Sequence, residues 1–569
     1  MVYLRTPLFK KGGVFFYPEL SRMTHFGIDE GMKTLPITVD SHLRLKTRDL
    51  KAAGLRLRDL LDEFEYDNPE YWKKKRMGFY TGDTPRKLSL VVRRGPEIAL
   101  PRGGWDRLKD LLPRDVSLEI RDETVSGTSL GMTYAEPADW TLDPDQLSAA
   151  RAALRRRQGF LIGPCSSGKT EILLKFASDA GERTLVIVHT ERILKDWAAK
   201  VSERFFVPAK EVGLLYGKAK RERTLTIGMV RTVLNLIEKD PDFVRRWGTV
   251  ILDEAHHASA ATFSELINSF PARYRIAATA TPKRKDGKEV LTFDAFGSVY
   301  ARKQRGTGRK VAPRVLFEIT DADLDRYGRI IPVDVVVVPT EFDFDLNHAR
   351  RMEADGWEQR AKGSQIQAAK DWAKSRKWEG PLNTYADMLD EMSRDAHRQA
   401  RILEYLLPEV RDGQTCVLLA DRREFCLDTQ AWLKRRKIPC GRLMGGRNSK
   451  EQDRTAKGLS DGSLLCAVGT TVADEGMDIG RLSRGFGCTP AAKNPGRLTQ
   501  QLGRFKRKFP GKTDAVYFYF WDRSVPDLRG HARAVFNAVK APHRVWFSER
   551  PGERVPMTRE LLRRLEDER

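Results

Sequence analysis

An apolar stretch, Phe160–Ile162, runs directly into Gly163-Pro164-Cys165-Ser166-Ser167-Gly168-Lys169-Thr170, which opens a helical pattern over Glu171–Ala177. Strand, G-x-x-x-x-G-K-[ST] loop and helix, in that order, form the context in which such a loop holds phosphates. Backbone N–H groups of Gly163, Ser166, Ser167 and Gly168 and of the helix N-terminus face the anion. Lys169 brings a mobile positive charge to the β and γ phosphates, and Thr170 offers a hydroxyl to Mg²⁺. The loop therefore predicts a nucleoside triphosphate site on an α/β sheet, without saying which kind of NTPase carries it.

A second apolar strand, Thr249–Leu252, ends in Asp253-Glu254-Ala255-His256, about 80 residues after the lysine. A carboxylate at the C-terminal end of a parallel strand sits beside a phosphate loop. Asp253 is placed to hold Mg²⁺, directly or through water, and Glu254 to accept a proton from an attacking water. Thr184–His189, Leu225–Met229 and Tyr274–Thr279 read as further buried strands, with helical segments such as Thr190–Arg204 between them. That alternation predicts a parallel α/β sheet.

The chain has 569 residues, enough for three or four domains at roughly 100–200 residues each. Four regions separate. Residues 1–139 form an α+β accessory region, with strands around Gly95-Pro96, a helix over Trp105–Leu112 and a strand at Val116–Ile120. Residues 140–331 hold the phosphate loop. Residues 332–522 return to strand–helix alternation after a polar helical insertion at about 346–394, with strands at Cys416–Ala420, Cys440–Met444, Leu464–Val468, Arg484–Cys488 and Ala515–Phe520. Residues 523–569 read as a basic helical tail.

Lys and Arg number 101 against 78 Asp and Glu, a net charge of +23, which favours a polyanionic partner through counterion release. Asn68–Tyr80 concentrates this charge, with Lys73, Lys74, Lys75 and Arg76 in a row beside Tyr71, Trp72, Phe79 and Tyr80. Cations meet phosphates and rings stack on bases. A helix with a solvated basic face and buried rings is the alternative. The six cysteines form no C-x-x-C pair, which leaves a structural zinc site without support. The first residues lack the apolar core of a signal peptide, and no apolar run approaches the ~20 residues that span a bilayer. A cytoplasmic protein is expected.

From the phosphate loop onward, the chain resembles the superfamily II helicases, in particular DEAH-type, XPB-like and phage recombination helicases, over roughly Trp140 to Asp522. Leu142-Asp143-Pro144-Asp145-Gln146 resembles the segment whose glutamine, here Gln146, contacts adenine; Asp145 stands where the family has an aromatic residue. His189-Thr190-Glu191-Arg192 through Trp197 resembles motif Ia, and Thr226–Met229 the next strand end that contacts the nucleic-acid backbone. Ala278-Thr279-Ala280-Thr281-Pro282 resembles motif III, which couples hydrolysis to strand movement. Ala420-Asp421-Arg422 is similar to motif IV. Gly469-Thr470-Thr471 through Gly476, Asp478 and Ile479 resembles motif V. Gln500-Gln501-Leu502-Gly503-Arg504-Phe505-Lys506-Arg507 matches the Q-x-x-G-R-x-x-R pattern of motif VI. Cys165 and Ser166 replace the family's Thr and Gly in the phosphate loop, so Ser166 must take a backbone shape that glycine takes more easily.

The resemblance implies two tandem RecA-like parallel-sheet motor domains that bind ATP and Mg²⁺. Lys169, Asp253, Glu254, Gln500, Arg504 and Arg507 are its implied catalytic set, with Gln146, Gly476 and Asp478 at the nucleotide. It places Thr190, Arg192, Thr226, Arg422, Thr470 and Thr471 on nucleic acid, and His256, Thr279 and Thr281 in coupling. Arg504 and Arg507 are three apart and share one face if the segment is helical; ATP would then lie between the two domains. In XPB-like proteins a domain comparable to residues 1–139 contacts distorted DNA. The expected activity is that of an ATP-dependent helicase or translocase acting as a monomer on single-stranded, forked or branched DNA, with nuclease or recombination proteins as possible partners and no membrane. A double-strand translocase serving a restriction system and an RNA remodeller remain as alternatives, as does a scaffold that holds ATP without turnover.

Overall fold

The computed structural model describes residues 33–136, 141–255, 260–282, 287–301, 310–344, 385–420, 422–444, 449–470, 479–490 and 495–567. The chain divides into two compact units, Met1–Gly163 with Gly168–Glu318, and Pro164–Ser167 with Ile319–Arg569.

The first unit holds two main sheets and two two-stranded ribbons, Glu65–Asp67 with Lys87–Ser89 and Ser298–Tyr300 with Val311–Pro313. Its N-terminal sheet has five strands, ordered Val92–Arg94, Glu97–Pro101, His42–Lys46, Lys33–Val39 and Val116–Asp122. Alternating burial along Lys33–Val39 and His42–Lys46 turns Leu35, Ile37, Leu43 and Leu45 into a small core with Leu60, Phe64 and Leu108. After it comes helix α1 (Pro69–Arg76), capped by Asn68, whose side chain accepts from Glu70 N at 3.1 Å, and started by Pro69.

The larger sheet has eight strands: β1 (Gln158–Ile162), β2 (Thr184–Val188), β3 (Gly213–Tyr216), β4 (Ala219–Arg221), β5 (Leu225–Met229), β6 (Thr249–Asp253), β7 (Tyr274–Thr279) and β8 (Val315–Glu318). Their order is β4-β3-β5-β2-β6-β7-β1-β8, parallel except at the β3–β4 hairpin. Every residue of β1, β2 and β6 is buried. Helices α2 (Pro144–Arg156), α3 (Lys169–Ala180) and α4 (Glu191–Arg204) belong to the same unit. Strands this apolar are stable where helices cover both sheet faces. The register sets Asp253 opposite Ala278 and Ala278 opposite Leu161, so the acidic strand end and the phosphate loop leave the sheet at one edge.

The two sheets of this unit are joined by buried polar contacts. Arg107 is fully buried, 2.7 Å from Asp294 Oδ1, and also meets Glu63; Tyr66 donates to Asp294 Oδ2 at 2.6 Å. Arg102 donates to the Gln158 side chain and to Ala272 O, each at 2.8 Å. A buried guanidinium is tolerated only when its donors are occupied in this way.

The second unit contains helix α5 (Asp321–Arg326), α6 (Pro495–Phe505) and another eight-stranded sheet. Its strands are β9 (Val333–Thr340), β10 (Cys416–Leu419), β11 (Gly441–Leu443), β12 (Cys466–Gly469), β13 (Arg484–Gly487), β14 (Ala515–Asp522), β15 (Arg544–Phe547) and β16 (Val555–Pro556), ordered β11-β12-β10-β13-β14-β9-β15-β16. The tail, read from sequence as helical, differs in part. Beside the helices His531–Ala538 and Arg559–Asp567 it adds β15, paired in parallel with β9, and the antiparallel edge strand β16. Val545 and Phe547 pack on the core that contains Val335 and Val337, which draws the tail into the sheet. Of the insertion at 346–394, residues 346–384 lie outside the described residues, and Tyr385–Arg394 is a helix.

Candidate active site

The phosphate loop begins where β1 ends. Ser166 takes a φ of +71° and Gly168 one of +74°. A Cβ at 168 would also lie 2.4 Å from Gln146 Nε2, so the Gln146 amide would have to move aside. Ser166 carries the left-handed conformation with a side chain, which costs about 1–2 kcal/mol. Ser167 is fully buried, and its N–H donates to Pro164 O at 3.2 Å. Asp143 caps α2 in a reciprocal arrangement with Gln146, the third helical residue, whose N–H donates to Asp143 Oδ1 and whose Oε1 accepts from Asp143 N. That cap sets the amide against the loop.

Lys169 is the first residue of α3, followed by Thr170. The Lys169 ammonium donates to Gly163 O at 2.9 Å and stands 3.9 Å from Glu254 Oε1. Asp253 ends β6 with 8 % exposure. Its Oδ2 accepts from Trp197 Nε1 at 2.8 Å and its Oδ1 from Glu254 N at 3.0 Å. Burial above all, and then the neighbouring Glu254 charge, push the Asp253 carboxyl up to about 6, against the opposing pull of Lys169. Glu254 adopts a φ of +52°, a left-handed conformation at a residue other than glycine. Lys169 stands 3.9 Å from Glu254 and its charge also pulls on Asp253, so one ammonium serves two carboxylates and the more buried one is held back from ionising.

Backbone bonds tie three strand ends together. Gly163 N donates to Thr279 O at 3.1 Å, and Ala255 N to Ala278 O at 3.2 Å. The Thr279 hydroxyl donates to Thr281 O at 2.8 Å and accepts from Thr281 N at 3.1 Å. The threonine turn thus touches the first residue of the phosphate loop. His256 lies outside the described residues, as do Thr471, Gly476 and Asp478.

Several expectations change. Thr226 is fully buried inside β5; its hydroxyl accepts from Arg223 N and donates to Arg223 O. It is the second residue of the strand, at the end opposite the edge where the acidic residues and the phosphate loop leave the sheet. Trp197 is 2 % exposed and serves Asp253 rather than a surface. The helical spacing Leu194, Trp197, Val201, all buried, is the signal that marks it as inward. Arg504 and Arg507 do not share one helix. α6 ends at Phe505, and Arg507 forms a β-bridge with Ile330. Lys512 donates to the carbonyls of Phe505, the last residue of α6, and of Arg507 beyond it.

The other candidates have varied settings. Thr190 caps α4 by accepting from Ile193 N, and Arg192 is exposed. Arg422 pairs with Asp390 at 3.1 Å, while Thr470, at the end of β12, donates its N–H to Leu443 O. Gln500 and Arg504 are half-buried on α6.

No residue of α1 is buried. Lys73, Lys75 and Arg76 are exposed, whereas Lys74 donates to Thr84 at 2.7 Å. Tyr71 meets Trp72 edge-on, and the Trp72 ring already carries Lys75 and Arg86 at 5.2 and 5.4 Å from its centroid. The exposed rings are Phe79 (59 %) and Tyr80 (83 %), which follow the helix end at Gly78. Stacking capacity therefore shifts from Tyr71 and Trp72 to two neighbours in the same stretch.

Among the described residues no group of three or more His, Cys, Asp or Glu could hold a metal ion, and no helix is long and apolar enough to cross a membrane.

Residues 139–284 match the sequence family described as "Type III restriction enzyme, res subunit", and residues 398–508 match "Helicase conserved C-terminal domain". The chain is 35% identical over 130 residues to "Probable helicase D10" of Escherichia phage T5, covering 23% of this chain and 28% of the relative. It is 26% identical over 189 residues to "DNA 3'-5' translocase XPB2" of Sulfurisphaera tokodaii, covering 32% and 42%. The chain thus spans less than half the length of these curated relatives. Among solved structures, T4 UvsW aligns over 91% of this chain and 99% of its own, at 12% identity and a TM-score of 0.37.

Proposed function

We propose that this chain, a superfamily II helicase of the branch that holds XPB-type and phage helicases, hydrolyses ATP to move along or unwind DNA. One observation carries the reading: Lys169, Asp253 and Glu254 meet at a single sheet edge, with Asp253 oriented by a buried tryptophan and the motif III turn bonded to the phosphate loop.

Lys169 exchanges its Gly163 and Glu254 partners for the β and γ phosphates. Thr170 and Asp253 would hold Mg²⁺, which when bound neutralises phosphate charge and orients the γ-phosphoryl group. Glu254 takes the proton from the attacking water. Arg504 and Arg507 neutralise charge on the phosphoryl group in transfer, and Gln500 orients the water or the phosphate. Gln146, fixed by its cap, approaches the base. Thr190, Arg192, Arg422 and Thr470 contact nucleic-acid phosphates, Lys73, Lys75 and Arg76 extend that contact, and Phe79 and Tyr80 stack on unpaired bases. Residues 1–139 act as the recognition region, with the motor regions at 140–331 and 332–522.

The test is ATP hydrolysis with and without single-stranded DNA, forked DNA and RNA, with Glu254→Gln as the inactive control. Strong stimulation by DNA that vanishes in the variant is expected; stimulation by RNA alone, or by neither, refutes the reading. The restriction-type family match over 139–284 supports a second reading, a double-strand translocase serving a nuclease. Displacement of a triplex-forming strand without unwinding of a fork distinguishes it.

A further inference from the structure

Within the second unit the arginine segment is held through Lys506, an unspecified position of motif VI, by residues that lie outside every motif. Lys506 lies between Arg504 and Arg507 and is 1 % exposed. Its ammonium meets Asp321 Oδ1, on the first residue of α5. The other oxygen, Asp321 Oδ2, is 3.1 Å from His543 Nε2. His543 Nδ1 accepts from Val333 N at 2.9 Å, which leaves the ring proton on Nε2 to be donated to Asp321. Both oxygens of one carboxylate are thus engaged, one by the motif VI segment and one by the tail.

The backbone repeats this connection. Ile331 N donates to Lys506 O at 2.7 Å, and Ile330 bridges to Arg507. Lys512 donates to the carbonyls on either side of Lys506. In sequence, Asp321 to Ile331 is the connection between β8, which ends at Glu318, and β9, which starts at Val333. Arg507 therefore takes its direction from the connection and not from a helix. A buried ammonium needs its carboxylate, so Lys506 cannot turn away without a large penalty. Because Lys506 is fixed, so is the direction in which the next residue leaves the chain.

We propose that Asp321 is a positioning residue for phosphoryl transfer: through Lys506, with His543 bracing its second oxygen, it aims Arg507 and the adjoining Arg504. This rests on the reading of those arginines as the charge-neutralising pair. A small misplacement of such a group costs up to roughly a hundredfold in rate, so the effect belongs in kcat.

The experiment uses the full chain, saturating single-stranded DNA and steady-state ATP hydrolysis. The double variant Asp321→Asn/Lys506→Met removes both buried charges and leaves neither unpaired. It is expected to keep its melting temperature within a few degrees, to change KM for ATP less than about twofold, and to lose roughly tenfold or more in kcat. A wild-type kcat in the folded double variant overturns the proposal. Should that variant misfold, the single Asp321→Asn decides in an Arg507→Ala background. There its kcat effect is expected to vanish if Asp321 acts through Arg507, and an undiminished effect overturns the proposal. Arg507→Ala alone separates the two readings: normal turnover in it refutes the arginine assignment itself, whereas lost turnover in it with normal turnover in the double variant refutes only the positioning role.

Discussion

Trp197→Phe is the sharpest perturbation of the hydrolytic edge. The substitution keeps most of the buried aromatic volume and removes one donor, the indole N–H that reaches Asp253 Oδ2 at 2.8 Å. A hydrogen bond to a charged acceptor contributes about 1.5–3 kcal/mol, which corresponds to roughly one to two pH units. Burial, then the charge of Glu254, already push Asp253 up to about 6, and loss of the donor pushes the variant carboxyl further up by about that much before any cation binds. Asp253 must be ionised to hold Mg²⁺, so the acid limb of kcat/KM for DNA-stimulated hydrolysis, measured from about pH 5 to 9 at one limiting Mg²⁺ concentration, should move upward by that amount. Raising Mg²⁺ should pull the limb back, because the cation and the proton compete for one carboxylate. The stability consequence has a fixed sign: a carboxyl whose folded pKa lies above its unfolded 3.8 binds its proton more tightly in the folded chain. Stability from this group therefore falls as pH rises from about 4 to about 6, and in the variant the fall continues to higher pH. An acid limb that coincides with the wild type at every Mg²⁺ concentration would refute the role given to Trp197.

Three further outcomes are expected. Ser166→Gly releases the left-handed strain at φ +71° but gains unfolded-state freedom, for a net stabilisation of up to about 1 kcal/mol in thermal melts; a loss of stability would contradict the strain. His42 is held down at about 4 by burial first and then by the Arg275 charge, with Arg44 and Arg94 adding to it and Asp40 opposing. The unfolded chain binds that proton more tightly, so stability rises between about pH 4 and 6.5, and His42→Gln should flatten the rise in urea titrations across that window. Phe79→Ala/Tyr80→Ala should weaken single-stranded DNA binding by fluorescence anisotropy by roughly tenfold or more, since each stacked base contributes about 1–3 kcal/mol; unaltered affinity removes these rings from the interface.

The fold was legible where local composition settles it. Strands β1, β2 and β6 are five-residue segments buried from end to end, and only a covered parallel sheet accepts them. The phosphate loop was legible because its spacing and its flanking elements agree. Other features depend on residues far apart in the chain. Nothing near Asp294 announces Arg107, 187 positions away, nor does anything near Lys506 announce Asp321. Strand β15 has four residues and one exposed end, too short a pattern to separate from the helices beside it. The burial of Thr226 was not legible because a resemblance marks a strand but not which end of it meets solvent, and the end of α6 before Arg507 was not because an i, i+3 spacing says nothing about where a helix stops.

The polar clamp between the two sheets of the first unit has a mechanical meaning. Arg107 grips the helix Glu289–Phe296 at Asp294, and Lys288, one residue before that helix, holds Glu70 of α1 at 2.9 Å. The basic helix and the segment that follows the Thr279–Thr281 turn are therefore bolted to the same beam. If α1 holds the nucleic acid as proposed, a shift of the helix Glu289–Phe296 would be handed to it through the Lys288–Glu70 ion pair, with no intervening length of loop.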